Sequence, residues 1–187
     1  FPVNLVDFVG DAGDMAIPTG NIEAALQEIY SNAFSFRDKH LISLGGDHSI
    51  TLGLLRAIRA AKSEKIAVVH FDAHCDTWSD HFGQPHGHGT WMYNAIQEGL
   101  IDPTNTISIG IRSPSDPVSR KFLAEQGGTT INAREARELV ESSTKVLEQR
   151  VDTVCNAIRE QATLGSKELM LYSYMFGNAK WLEVEEQ

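Results

Sequence analysis

The chain has 187 residues, which is enough for one domain with a substantial hydrophobic core. Hydrophobic residues make up 42% of it and charged residues 22%, as in ordinary globular proteins, and no apolar run approaches the ~20 residues of a membrane span. The net charge of −9 argues against a protein that binds nucleic acid by neutralising phosphates. We therefore expect no nucleic-acid partner and no membrane partner.

The first residues and the cysteines indicate a cellular compartment. Phe1-Pro2-Val3-Asn4 lacks the basic segment and the long apolar stretch of a signal peptide. Cys75 and Cys155 do not form a paired spacing, so we expect no disulfide framework and a reducing compartment. A cytoplasmic location fits these features, and the sequence leaves a mitochondrial one open.

Short apolar strands alternate with amphipathic helices in the first half of the chain. Apolar residues at helical spacing predict helices at residues 21–30 and 52–61. Between them, residues 41–44 predict a short buried strand that ends at two glycines. Residues 65–71 form a continuous apolar run, typical of a strand that is buried on both faces.

The second half continues the same alternation. After a loop rich in glycine, proline and histidine at 77–89, we predict a helix at 90–98 and a strand at 106–111. A long, largely helical segment at 133–159 precedes a last strand at 168–172; its expected core positions are Val140, Val146, Leu147 and Val151. This order predicts an α/β fold with a mostly parallel sheet, in which functional sites lie outside the carboxyl ends of the strands.

Acidic residues and histidine alternate directly after the strand at 65–71. In an extended chain, residues two apart point to the same side, so Asp72, His74 and Asp76 would converge while Ala73 and Cys75 pack the other way. Carboxylate oxygens with an imidazole suit Mn, Zn or Fe. The alternative is a solvated acidic turn that contains a histidine by chance.

A second histidine follows the strand predicted at 41–44. In the run Gly45-Gly46-Asp47-His48-Ser49, two glycines permit a tight turn before a polar residue opens the next helix. His48 would thus lie at a strand end, as Asp72 does, and would complete the metal cradle from a neighbouring strand. The simpler alternative is that Asp47 or Ser49 caps the helix and His48 is a loop residue.

The loop that returns to the helix at 90–98 carries the segment His86-Gly87-His88-Gly89-Thr90. A histidine here is suited to proton transfer, because its ordinary pKa lies near neutrality. The alternative is a surface loop. The sequence shows no second feature of a nucleophilic site beside Cys75, so we interpret Cys75 as a small packed residue.

These segments together resemble a known family, the ureohydrolases, which include arginases and agmatinases. The segments that carry the resemblance are Val9–Asp14, Gly45–Ser49, Phe71–Thr77, His88–Thr90 and Ile109–Arg112. They follow the family's order at similar intervals, within residues 6–126 of a single domain that we expect to span 1–187. The stretch 75–83 is more similar to the agmatinase and guanidinobutyrase branch than to arginases.

The resemblance implies a fold, a cofactor and residue roles. The fold is a three-layer αβα sandwich, and the cofactor is Mn²⁺, two ions per subunit. His48 and Asp76 would bind one ion, His74 the other, and Asp72 would bridge them; His88 would assist proton transfer. The reaction implied is hydrolysis of a small guanidino compound, agmatine or 4-guanidinobutyrate, to urea and an amine, by a homo-oligomer.

The sequence departs from the family pattern after about residue 173. The family places two further aspartates on a later strand, but no Asp follows Asp152 in this chain. We therefore expect one ion or fewer here. Three explanations stay open: a truncated or altered sequence after about Tyr172, an isoform without activity, or ligands supplied from elsewhere. A non-catalytic metal-binding or oligomer-partner protein and a mononuclear metallohydrolase are the alternative functions.

Overall fold

The computed structural model describes residues 9–142 and 170–173. Its elements in chain order are α1 (Ile22–Ser35), α2 (Ile50–Ala61), β1 (Ile66–Phe71), α3 (Trp91–Gln97), β2 (Ile101–Ile111), α4 (Pro117–Glu125), β3 (Thr129–Asn132), α5 (Ala133–Ser142) and β4 (Met170–Ser173). The strands form one sheet in the order β3-β2-β1-β4, and every neighbouring pair is parallel. The predicted α/β fold with a parallel sheet is thus confirmed.

Helices cover both faces of this sheet, because successive residues of a strand point to opposite sides. Val68 of β1 packs into a cluster with buried residues of α1, α2 and α3. Its neighbour Val69 packs with Ile107, Ile131 and Ala136 of α5. The described residues therefore form three layers, helix on sheet on helix, as the resemblance implies.

Local sequence accounts for where several helices begin. Asn21 caps α1, its side chain accepting a hydrogen bond from the Ala24 amide. Asp116 caps α4 by accepting from the amides of residues 118 and 119, and Pro117 occupies the first turn, where its missing N–H costs nothing. Neither α4 nor β3 was predicted from the sequence.

The strand predicted at 41–44 is wrong. The structure assigns no strand there, and the side chains of Ile42 and Leu44 are 80% and 95% exposed. A strand needs a free sheet edge for its hydrogen bonds, and in the described sheet only β3 and β4 have one, because β1 is paired with β2 on one side and β4 on the other. The apolar run therefore has no place beside β1 in the described sheet.

The other predicted elements are present with shifted bounds. The long helical segment is described only as far as Ser142. The rest of it, the core positions expected at 140–151 and the departure from the family pattern after residue 173 lie outside the described side chains. None of the helices in the described part of the chain has the length and apolar character that crossing a bilayer requires.

Candidate metal centre

Asp72 lies directly after β1 and contacts histidines with both of its carboxylate oxygens. Its Oδ2 atom is 3.2 Å from Nδ1 of His48. Its Oδ1 atom accepts a hydrogen bond from the His74 backbone amide at 2.8 Å and lies 3.1 Å from the His74 Nδ1. The backbone of Asp72 is fixed by its amide, which donates to the Ile109 carbonyl of β2. One buried carboxylate thus faces two histidines in opposite directions.

Asp76 is the second buried carboxylate of the site. Its Oδ2 atom lies 2.8 Å from Nδ1 of His48 and accepts a hydrogen bond of 2.8 Å from the indole nitrogen of Trp91. The backbone of Asp76 has φ of 53°, in the left-handed region that residues other than glycine rarely adopt. The β1 strand and the first turn of α3 therefore position this side chain together.

His48 reaches both carboxylates from the turn before α2. This turn is held by the Asp47 carboxylate, which accepts a hydrogen bond from the Ser49 amide. Burial alone would lower the pKa of His48, but its hydrogen bonds to Asp72 and Asp76 outweigh this effect and raise the pKa to about 9. Positive charge is therefore favoured at the point where the three side chains meet.

The pKa of the Asp72 carboxyl shifts in the opposite direction to that of His48. Burial alone would raise its pKa, but hydrogen bonding by His48, the approach of His70 and the His74 amide lower the pKa well below the usual carboxyl range. Asp72 is therefore an anion inside the protein. A buried anion needs a cationic partner, because an unpaired buried charge is strongly unfavourable.

His70 is the functional candidate that the sequence interpretation missed. It is fully buried on β1, and its Nδ1 lies 3.1 Å from the Ser108 hydroxyl of β2. Its Nε2 is also buried and has no hydrogen-bond partner among the described groups; Oδ2 of Asp72 lies 3.4 Å away and Oδ2 of Asp76 lies 3.8 Å away. The signal was present, since His70 precedes Asp72 by two residues and so shares its side of the strand.

The structure places two predicted residues outside the buried cluster. The His74 side chain is 55% exposed and reaches only the outer oxygen of Asp72. The His88 side chain is 58% exposed, with its Nδ1 3.6 Å from the Asp47 carboxylate and its ring 5.0 Å from that of His81. His88 therefore belongs to the loop at the mouth of the site, which also carries the ring contacts of Trp78 with His81 and of His81 with Phe82.

The buried donor set fits a divalent metal ion. His48, His70, Asp72 and Asp76 each offer a ligand atom, and these atoms lie within 4.8 Å of one another. The Nδ1 atom of His48 lies 2.8 and 3.2 Å from the two carboxylates, close enough for one ion to be held by all three side chains. The buried Nε2 of His70, 3.4 and 3.8 Å from the same oxygens, adds an imidazole nitrogen beside them.

Known proteins with similar sequences are agmatinases. An agmatinase of Cronobacter sakazakii is 43% identical over 132 residues, which cover 70% of this chain and 40% of that protein. An agmatinase of Serratia proteamaculans is 42% identical over 117 residues, covering 61% of this chain and 36% of that protein. The chain thus spans about two fifths of the length of these relatives.

A solved structure and a family model agree with these relatives. The proclavaminate amidino hydrolase of Streptomyces clavuligerus superposes with a TM-score of 0.67 at 31% identity, over 75% of this chain and 48% of that one. The model of the arginase family matches residues 6–160, which include every residue of the candidate metal centre. The resemblance to the ureohydrolases is thereby confirmed, and the chain belongs to the arginase family.

Proposed function

We propose that this chain binds Mn²⁺ at His48, Asp72 and Asp76 and that it serves the hydrolysis of a guanidino compound, agmatine or 4-guanidinobutyrate, to urea and an amine. The observation that carries the proposal is the convergence of His48 Nδ1 with both carboxylates inside the protein. The agmatinase relatives support the substrate class, because agmatine is a guanidino compound. Assembly as a homo-oligomer belongs to the same proposal and rests on family membership.

The chemistry that such an ion supplies is activation of water for attack on a poorly electrophilic carbon. The chain's own residues bind the substrate and transfer the proton. Asp72, held as a buried anion, favours a cationic guanidinium group over a neutral competitor near the site. The His88 side chain is exposed to solvent beside Asp47 at the mouth of the site. It can therefore pass a proton between water and a bound amine.

His74 is proposed as a ligand on the outer side of Asp72. Its Nδ1 faces Oδ1, whereas His48 faces Oδ2, an arrangement that is compatible with a bridging role for Asp72. His74 alone adds one imidazole to this outer position, which is too few ligands for tight binding of a second ion. We therefore propose one tightly held ion in the chain as it stands.

A second candidate function is metal binding without turnover. It is favoured by the composition of the buried cluster, which within the described residues contains two carboxylates and therefore suits one ion. The two candidates differ in whether the site accelerates hydrolysis, and they predict the same metal content.

The test measures manganese per chain and urea release on protein purified in the presence of Mn²⁺. One ion per chain with urea from agmatine or 4-guanidinobutyrate supports the first candidate, and one ion without urea supports the second. The variant His48→Asn should lose the ion, while His40→Asn, at an exposed position outside the site, should keep it. Equal manganese in both variants would overturn the assignment of His48.

A further inference from the structure

The first turn of α3 contacts Asp76 at three points. The Trp91 indole N–H donates to the Asp76 Oδ2 atom at 2.8 Å. The backbone amides of Met92 and Tyr93 donate to the Asp76 carbonyl at 3.1 and 3.4 Å. Because the side chain and the carbonyl are bound by consecutive residues of one helix, the position of Asp76 is fixed relative to α3.

These contacts hold Asp76 in a backbone conformation that it would not adopt by itself. A residue other than glycine with φ near +53° is strained by about 1 kcal/mol or more, and such strain persists only where neighbouring groups over-determine the conformation. Two amide donors on the carbonyl and one indole donor on the carboxylate provide that restraint. Without the indole, His48 alone would hold the Oδ2 atom of Asp76.

Trp91 can only donate a hydrogen bond to Asp76. An indole N–H is a donor only, whereas each histidine nitrogen donates or accepts according to its tautomer. The Trp91 ring is 1% exposed and packs 5.2 Å from the ring of His48 and 5.2 Å from the ring of His70. A carboxylate oxygen has more than one lone pair, so Oδ2 can accept from Trp91 and still bind an ion.

We propose that Trp91 is a positioning residue for the metal centre, which selects one orientation of the Asp76 carboxylate through its indole N–H. This inference rests on the proposed binding of a divalent ion by His48, Asp72 and Asp76. Groups that hydrogen-bond to the ligands of a metal typically change metal affinity by 10- to 100-fold when they are removed. We expect a loss in that range when the N–H is removed.

The test replaces the N–H while keeping the shape of the ring. Trp91 is exchanged for 3-benzothienylalanine, in which sulfur takes the place of the indole N–H, and separately for phenylalanine. Leu55→Ala is the control for lost packing, because Leu55 is equally buried, lies in the same core cluster as Trp91 and has no side-chain group that could hydrogen-bond to a carboxylate. Mn²⁺ affinity is measured by calorimetric titration, and unfolding is measured on the metal-free proteins.

The readouts separate a positioning role from a structural one. We expect both Trp91 replacements to bind Mn²⁺ at least tenfold more weakly. The benzothienyl protein should lose less stability than Leu55→Ala, which should keep its affinity for Mn²⁺. The indole N–H resonance of Trp91 should differ between the metal-free wild type and the metal-free Asp76→Asn protein. Equal affinity in the wild type and the benzothienyl protein would overturn this inference alone, whereas a wild type that binds no Mn²⁺ would overturn the proposed function and this inference with it.

Discussion

Substitution of Gly110 by alanine tests whether β2 positions Asp72. Gly110 has φ of +97° and lies at an irregularity in the pairing of β2 with β3. A Cβ atom there would lie 3.1 Å from the Asp72 carbonyl oxygen, closer than most such contacts. The backbone strain costs about 1–2 kcal/mol, and the contact must move either β2 or Asp72. We expect Gly110→Ala to lower the free energy of unfolding by about 2 kcal/mol and to weaken Mn²⁺ binding.

Gly99→Ala is the matched control for this substitution. Gly99 has φ of +67°, but a Cβ atom there meets nothing within 4 Å. Both variants carry the backbone strain of a left-handed residue, and both lose similar entropy in the unfolded chain. Their difference in denaturant unfolding therefore isolates the contact with Asp72. A Gly110→Ala protein that matches Gly99→Ala in stability and the wild type in Mn²⁺ affinity would refute the reasoning.

Three further substitutions test packing and charge. Exchange of glycine for alanine normally stabilises a helix by about 1 kcal/mol. Gly53→Ala should instead lower stability in thermal unfolding, because its Cβ would lie 2.9 Å from the Ile29 side chain; a stabilised variant would contradict this. Glu98→Gln should cost about 0.5–1 kcal/mol, less at high salt, because Glu98 pairs with Arg56 through two hydrogen bonds between α2 and the end of α3; equal loss at all salt concentrations would argue against an ionic contribution. Burial alone would raise the pKa of Asp102, but hydrogen bonds from Thr104 and Asn105 lower it. The stability that Asp102 contributes over Asp102→Asn, about 1 kcal/mol, should therefore be present above the ordinary carboxyl pKa and lost as pH falls through the lowered one; unfolding curves that differ equally at pH 7 and below pH 3 would exclude this linkage.

Elements whose signal is local were predictable from the sequence. The apolar run that became β1 is buried along most of its length, and the spacing of Asp72 and Asp76 placed both carboxylates at its end. The run at 41–44 has the same composition but depends on a sheet edge, which composition does not reveal. Strand formation is a property of pairs, so an apolar run alone predicts it poorly.

The metal centre was predictable in part for the same reason. Asp72 and Asp76 follow from strand-end geometry and His48 from its motif alone, since no strand precedes it, and the structure brings the three together. The burial of His70 and the indole contact of Trp91 depend on how β2 and α3 pack over β1, which is set by tertiary structure. The exposed positions of His74 and His88 likewise follow from loop conformation, to which residue spacing is a weak guide.

Two residues other than glycine have positive φ in the described structure, and both lie between β1 and α3. At Asp76 the strain is balanced by hydrogen bonds from α3, so its presence there is explained by the site. At Phe82 the side chain is 96% exposed and its contact is the ring of His81, at 4.7 Å, in a turn closed by hydrogen bonds between His81 and Gln84. An aromatic ring that is exposed in this way makes few stabilising contacts that could offset the strain of the turn. The positive φ of Phe82 is therefore held by the hydrogen-bonded turn between His81 and Gln84 and not by packing of its own ring.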